Sequence, residues 1–176
     1  MKLNLGCGKR KLDGWINVDA EVMASPDRVL DITTPWPWAA DSVDEVLASH
    51  VLEHIAPGDS FFRVVKEMYR VCKPGAKVTA ILPHPAHDVF LSDPTHVHAI
   101  LPGTFALLSK RYVEASRARG AELTPFYKYL GVDFDIRTVK YTFDPAVNAE
   151  AGDIEWQAKH LRNIIVEWRT ELTVVK

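Results

Sequence analysis

Lys2-Leu3-Asn4-Leu5-Gly6-Cys7-Gly8 runs from a short apolar stretch straight into a glycine turn. Trp15-Ile16-Asn17-Val18-Asp19 follows as a second apolar run that closes on a carboxylate. Strand, glycine turn, strand, acid is the order in which a parallel α/β sheet grips a ligand at its strand ends. Glycine at 6 and 8 permits positive φ and lets a ligand lie on the backbone, where a Cβ would collide. A carboxylate closing the second strand is placed to accept the two hydroxyls of a ribose. The ligand these residues imply is a nucleoside.

The length of 176 residues fits one domain spanning 1–176. With 47% hydrophobic and 25% charged residues the composition is that of an ordinary globular protein with a sizeable core. A formal net charge of -2 argues against a protein that lives on a phosphate backbone. Lys9-Arg10-Lys11, and Lys110-Arg111 with Arg117 and Arg119, read as solvated clusters. Cys7 and Cys72 suggest neither a disulfide framework nor a zinc site, and both read as small packing residues. No secretory pattern and no apolar run near the ~20 residues of a membrane span is present, so the expectation is a cytoplasmic protein without a membrane partner.

Strands are predicted over 2–5, 15–19, 28–32, 45–48 and 77–83. Gly8 to Trp15 leaves room for only a turn or so of helix. Phe61, Phe62, Val65, Met68, Tyr69 and Cys72 recur at helical spacing, so 59–72 is an amphipathic helix, stopped by Lys73-Pro74-Gly75. Pro35-Trp36-Pro37-Trp38 is a rigid aromatic loop whose tryptophans roof the ligand site or pack on the core, with packing preferred. An insertion of about 84–131 follows, polar and histidine-rich at first, with a helix over 102–119. Strands over 134–143 and 163–175, with a short helix at 154–161, complete the chain. Alternating strands and helices imply right-handed crossovers and a parallel sheet, and the last two strands form an antiparallel hairpin at one edge.

Taken together, Leu5-Gly6-Cys7-Gly8, Asp19, Asp31, Ser42-Val43-Asp44-Glu45-Val46 with His50-Val51-Leu52-Glu53-His54, and Arg70-Val71-Cys72-Lys73-Pro74-Gly75 resemble the class I S-adenosylmethionine-dependent methyltransferases. The resemblance is nearest to methyltransferase-type-11-like proteins and covers about residues 2–83. It implies a Rossmann-like α/β fold, with a mostly parallel sheet, helices on both faces and the antiparallel C-terminal hairpin. It implies S-adenosyl-L-methionine as cofactor, held by Leu5, Gly6, Cys7 and Gly8 at its amino-acid tail and by Asp19 at the ribose. Asp31 and Ile32 would lie by the adenine, and Ser49 and His50 would face the methyl group. A nicotinamide reading loses because Lys9 and Arg10 follow Gly8 where a third glycine and a full helix belong. Asn4 stands where the family often has an acid. Recognition of the acceptor then falls to the insertion, or to another subunit of a homodimer.

Methyl transfer is an in-line displacement that depends chiefly on alignment, and a base matters when the acceptor is a hydroxyl or protonated amine. His50 is the candidate placed by the family pattern, and His96 with Asp93 as orienting carboxylate is the second. His54 reads as structural. For His84, His87, His96 and His98 three readings stay open: a hydrogen-bonded polar loop, a lining for the active site, or a divalent metal site with Asp88 or Asp93. No pair has ligand spacing, so no metal is assigned. Tyr112, Phe126, Tyr127 and Tyr129 form an aromatic acceptor pocket or pack in the core. The expectation is an EC 2.1.1-type enzyme that methylates an oxygen or nitrogen of a small molecule, such as a sugar or specialised metabolite. The alternatives are a catalytically silent cofactor-binding or partner module, and a methyltransferase acting on RNA, DNA or protein.

Overall fold

A computed structural model of the chain describes residues 1–147 and 153–176. Short apolar stretches give β1 (Lys2–Leu5), β2 (Ile16–Asp19), β4 (Val43–Ser49) and β5 (Cys72–Pro83), with the two-residue β3 (Arg28–Val29) at the edge. These pair in parallel. β6 (Phe134–Phe143) and β7 (Ile165–Val174) are antiparallel to each other, and β7 is antiparallel to β5, so the sheet order is β3-β2-β1-β4-β5-β7-β6. This is the mostly parallel Rossmann-like sheet with its antiparallel hairpin. The hairpin's connection contains α6 (Ile154–His160), capped by the Asp153 carboxylate.

α1 (Asp59–Val71) ends one residue before the predicted boundary, and β5 starts directly at Cys72. Gly75, at φ 79°, lets a bulge absorb Lys73 to Ala76 before regular pairing resumes at Lys77. Two predictions needed revision in detail. Strand three is only Arg28–Val29, because the chain leaves the edge once Leu30 N–H has bonded the Asp19 carbonyl at 2.9 Å. The helix over 102–119 is two helices, α3 (Pro102–Ala106) and α4 (Lys110–Ala118), because the Ser109 hydroxyl accepts the Tyr112 amide and starts a new one. Two short helices were not predicted, α2 (Asp88–Leu91) and α5 (Phe126–Leu130), the latter ended by Gly131 at φ 67°.

The two faces of the sheet are furnished differently. Register puts Leu3, Leu5, Val18, Val46, Ala48, Val78, Ala80, Leu82, Trp168 and Leu172 on one face, all of them buried. α1 lays Phe61, Val64, Val65, Met68 and Val71 into the same core. α3 adds Phe105, edge-on to Trp168 at 5.8 Å. Trp36 joins the core as well, its indole N–H donated to the Ile32 carbonyl, so the aromatic loop packs as expected. Arg70 holds that loop by donating to the Trp36 and Trp38 carbonyls and to Glu67.

The opposite face carries Lys2, Glu45, Lys77, Arg169 and Glu171, partly or fully exposed, with Lys2 and Lys77 both paired to Glu45. Toward β2 it carries Asn4 and Asn17, both buried. Asn4 Nδ2 donates to Asn17 Oδ1 at 2.9 Å, and that oxygen also accepts the Leu12 amide at 2.8 Å. A helix-free crossover is thereby fastened across this face by side-chain amides.

Candidate cofactor and active site

At the carboxyl ends of β1, β2 and β4 the glycine turn separates two cavities. One, of about 410 Å³, is walled by Gly6, Gly8, Asp19, Asp31, Ile32, His50, Val51 and His54. The other, of about 630 Å³, is lined by Asn4, Cys7, Lys9, Arg10, Ser49 and Glu167 and shares Gly6, Gly8 and His50 with the first. Both volumes are in the range of small-molecule sites.

The two glycines serve different ends. Gly6 sits at φ 61°, and a Cβ there would stand 2.4 Å from Val51 Cγ2, so it is required by packing against the segment that leaves β4. Gly8, at φ 49°, has nothing within 4 Å of the corresponding position, so its open side is free for a ligand. The reading of Gly8 as ligand-facing backbone therefore fits, while at Gly6 the constraint comes from the protein itself.

Asp19 closes β2 with its carboxylate turned back onto the turn. One oxygen accepts the Gly8 amide at 2.8 Å and the other the Glu21 amide at 2.9 Å. Each oxygen keeps a further lone pair, and the residue lines the smaller cavity. Asp31 Oδ1 accepts from the amide and hydroxyl of Thr33, which fixes its direction on the same wall. Leu5 is fully buried and lines neither cavity. Burial foremost, then the Asp19 charge, pushes the Cys7 thiol up, and burial holds Cys72 at about 12. Both are inert packing residues, as read from the sequence. Lys9 and Arg10 are exposed, yet both stand at the rim of the larger cavity, where solvent alone was the preferred reading.

His50 occupies the junction. It adopts φ 52°, a left-handed conformation that non-glycine residues rarely take. Its Nε2 lies 3.0 Å from Glu167 Oε2, and its Nδ1 faces Glu53 Oε1 at 3.5 Å. The Glu53 carboxylate, against some loss from burial and with help from Glu167, raises the His50 pKa above its ordinary 6.5.

The histidine-rich loop does not converge. His87 caps α2, its Nδ1 accepting the Val89 amide and its Nε2 meeting Asp144 at 3.0 Å. His98 stacks edge-on against Phe61 at 4.8 Å, and burial lowers its pKa. His84 lies in a separate cavity of about 510 Å³ with Leu101, Tyr141, Phe143 and Ile165. Only His96 approaches the site, its ring centroid 4.8 Å from that of His54. Asp93 stands 3.8 Å from His96 Nε2 and spends its Oδ1 on Thr95, so the ring is oriented instead by the Phe90 carbonyl on Nδ1 at 2.9 Å. Of the four aromatic residues offered as an acceptor pocket, Phe126 packs on Phe62 at 5.3 Å and Tyr129 is exposed.

Sequence reasoning missed two carboxylates. Glu53 was quoted as part of a motif without a role. Glu167 was hidden in an apolar strand, where a lone acid between Val166 and Trp168 was the available signal.

The chain matches the family described as Methyltransferase domain over residues 15–80. Its fold resembles an S-adenosylmethionine-dependent methyltransferase from Archaeoglobus fulgidus, at 19% identity and a TM-score of 0.64, covering 98% of this chain and 85% of that one. It also resembles an S-adenosylmethionine-dependent methyltransferase from Methanosarcina mazei, at 13% identity and a TM-score of 0.61, covering 99% and 92%. A third similar structure is the complex between the Haloferax volcanii Trm112 methyltransferase activator and a methyltransferase, at 11% identity and a TM-score of 0.57, covering 99% and 82%. No curated protein matches the sequence. The chain thus carries a methyltransferase-domain match over 15–80 and has the fold of S-adenosylmethionine-dependent methyltransferases. S-adenosylmethionine is the cofactor to expect, and the donor set fits it: a carboxylate with spare lone pairs on one side of an open Gly8, and a wider cavity with two basic residues at its rim on the other. Among the described residues no helix is long and apolar enough to cross a membrane.

Proposed function

We propose that this protein moves a methyl group from S-adenosylmethionine to an oxygen or nitrogen of a small molecule, a sugar or specialised metabolite among them. The observation that carries the reading is the junction of the two cavities at Gly6, Gly8 and His50, with Glu167 reaching it from the antiparallel hairpin. Asp19 holds the ribose, Asp31 and Ile32 border the adenine, and Gly8 with Cys7, Ser49 and the Lys9–Arg10 rim receive the amino-acid tail. Bound there, the cofactor supplies a methyl group on a sulfonium. His50 accepts the proton of a hydroxyl or ammonium acceptor, Glu167 stabilises the resulting imidazolium from 3.0 Å, and the raised pKa makes the neutral ring a stronger base. His96 reaches the acceptor side only through His54. The net charge of -2 supports a small acceptor over a nucleic acid.

Calorimetric titration with S-adenosylmethionine and S-adenosylhomocysteine tests the cofactor half, and no heat at millimolar ligand would end the proposal. Asp19→Ala should weaken binding by about 1.5–3 kcal/mol, the scale of hydrogen bonds to a charged group. Transfer of an isotopically labelled methyl group to panels of small hydroxyl and amine acceptors tests the other half. The Haloferax complex supports a second reading, in which activity awaits a partner protein. It predicts cofactor binding with no turnover by the isolated chain, and turnover only after a binding protein is added.

A further inference from the structure

We propose that Glu53, His54 and His96 form a zinc-type metal site that clips the insertion to the rim of the smaller cavity. The three residues offer one ligand atom each within 4.8 Å of one another. In a tetrahedral zinc site, with bonds of about 2.0–2.2 Å, ligand atoms stand about 3.3 Å apart. A tilt of the exposed His54 ring about its Nδ1–Thr95 contact, on the 3₁₀ turn Leu52–His54, closes that difference.

Glu53 is the first argument. Its side chain is 1% exposed, and neither carboxylate oxygen has a hydrogen-bond partner. His50 Nδ1 stands 3.5 Å from Glu53 Oε1, an ion-pair distance rather than a hydrogen bond, and pairs with it only when the ring is protonated. A buried carboxylate without donors is expensive, and coordination of a cation is one of the ways such a charge is compensated.

The tautomers are the second. His96 Nδ1 lies 2.9 Å from the Phe90 carbonyl oxygen, which can only accept, so Nδ1 carries the proton and Nε2 holds a free lone pair. His54 Nδ1 lies 2.9 Å from Thr95 Oγ1 and 3.2 Å from the Thr95 carbonyl. The Thr95 hydroxyl donates its own proton to Asp93 at 2.6 Å, so it too must accept from His54. Both rings thus present an unprotonated Nε2, with Nδ1 fixed by a backbone or hydroxyl acceptor. Ligating histidines are held in this way.

The third is chemistry. Two imidazoles and one carboxylate suit zinc, whereas magnesium and calcium call for oxygen donors. Three protein ligands leave a position for water or an acceptor oxygen, and His54 places it beside the cavity that Asp19 and His50 also line. The metal would join Glu53 and His54, just after β4, to His96 of the insertion. The two segments already meet where the Glu53 carbonyl accepts the Val97 and His98 amides, both at 3.0 Å.

Metal binding is read without cofactor or acceptor, so its outcome stands apart from that of the proposed transfer reaction. Chelator-treated protein should bind one Zn²⁺ per chain in calorimetry, and Co²⁺ should give the visible bands of a low-symmetry four- or five-coordinate site. His54→Gln and His96→Gln should each weaken Zn²⁺ binding at least about 100-fold. His84→Gln, in the separate cavity, should leave it unchanged. His54 is exposed, so its variant keeps the fold even where Glu53→Gln fails to. No stoichiometric Zn²⁺, binding indifferent to His54→Gln and His96→Gln, or equal loss with His84→Gln would each overturn the site.

Discussion

The two faces of the sheet solve the same problem by opposite means. One is closed by side chains that exclude water: Trp168 is wholly buried, flanked by Phe105 and, through its indole N–H, by the Ile100 carbonyl at 3.2 Å. The other is closed near the cofactor turn by hydrogen bonds, with Asn4 and Asn17 tying down a crossover that has no helix to bury. Farther along, it is left to ion pairs. In this sheet the packed layer lies on one side, and the buried polar residues of the other are satisfied by one another and by the crossover backbone. The larger cavity, lined by Asn4, Leu47, Ser49 and Glu167, opens on that lightly covered polar side.

Substitutions that separate the faces make the contrast quantitative. Trp168→Ala should produce the largest loss, about 3–5 kcal/mol in urea denaturation, as a large aromatic leaves a cavity in a sealed layer. A loss below about 1 kcal/mol would mean that the apolar face is not the principal source of stability. Asn17→Ala should cost about 1–3 kcal/mol, because Asn4 Nδ2 and the Leu12 amide lose their shared acceptor. The same variant should weaken cofactor binding, since Asn17 fastens the segment that begins at Gly8; unaltered affinity would show the turn to be rigid by itself. Lys77→Ala, which removes one of the two partners of Glu45, should change stability by no more than about 1 kcal/mol and less in high salt.

The smallest effect is confined to acid. Asp44, hydrogen-bonded by Lys73 and the N-terminal ammonium, has its pKa drawn from 3.8 to about 2. The unfolded chain takes up this proton first, so the stabilisation is full above pH 3.8 and is lost as pH falls toward 2. Between those values the wild type should lose more stability than Asp44→Asn in parallel urea titrations. Parallel curves would remove Asp44 from the acid response.

Much of the N-terminal half was legible in the sequence because its determinants are local. A glycine turn, an alternating strand and an amphipathic helix with a proline–glycine stop each declare themselves within a few residues. Asp19 and the Gly6–Gly8 turn could be placed for that reason. The site residues that escaped are those whose meaning depends on distant partners. Glu53 is an unremarked acid in a motif until the fold buries it against His50. Glu167 enters only because β7 pairs with β5, bringing it opposite Pro83. The histidines between 84 and 98 looked alike as residue types, yet a helix cap, a stacking contact and a separate cavity divide them. Ser109 split a continuous helical pattern because a single hydroxyl cap outweighed the periodicity around it.

The position of β7 also bears on how the chain assembles. β7 follows β6 in sequence but lies between β5 and β6 in the sheet. During synthesis the glycine turn, the first four strands and α1 emerge with their neighbours already available, while one edge of β5 waits for a partner more than 80 residues downstream. Pairings of such sequence separation form slowly, and an open strand edge is a template for pairing with other chains. The cofactor-side half is thus the segment poised to fold first. Insertion of β7 is the late event that both ends the exposure of the β5 edge and delivers Glu167 to the site.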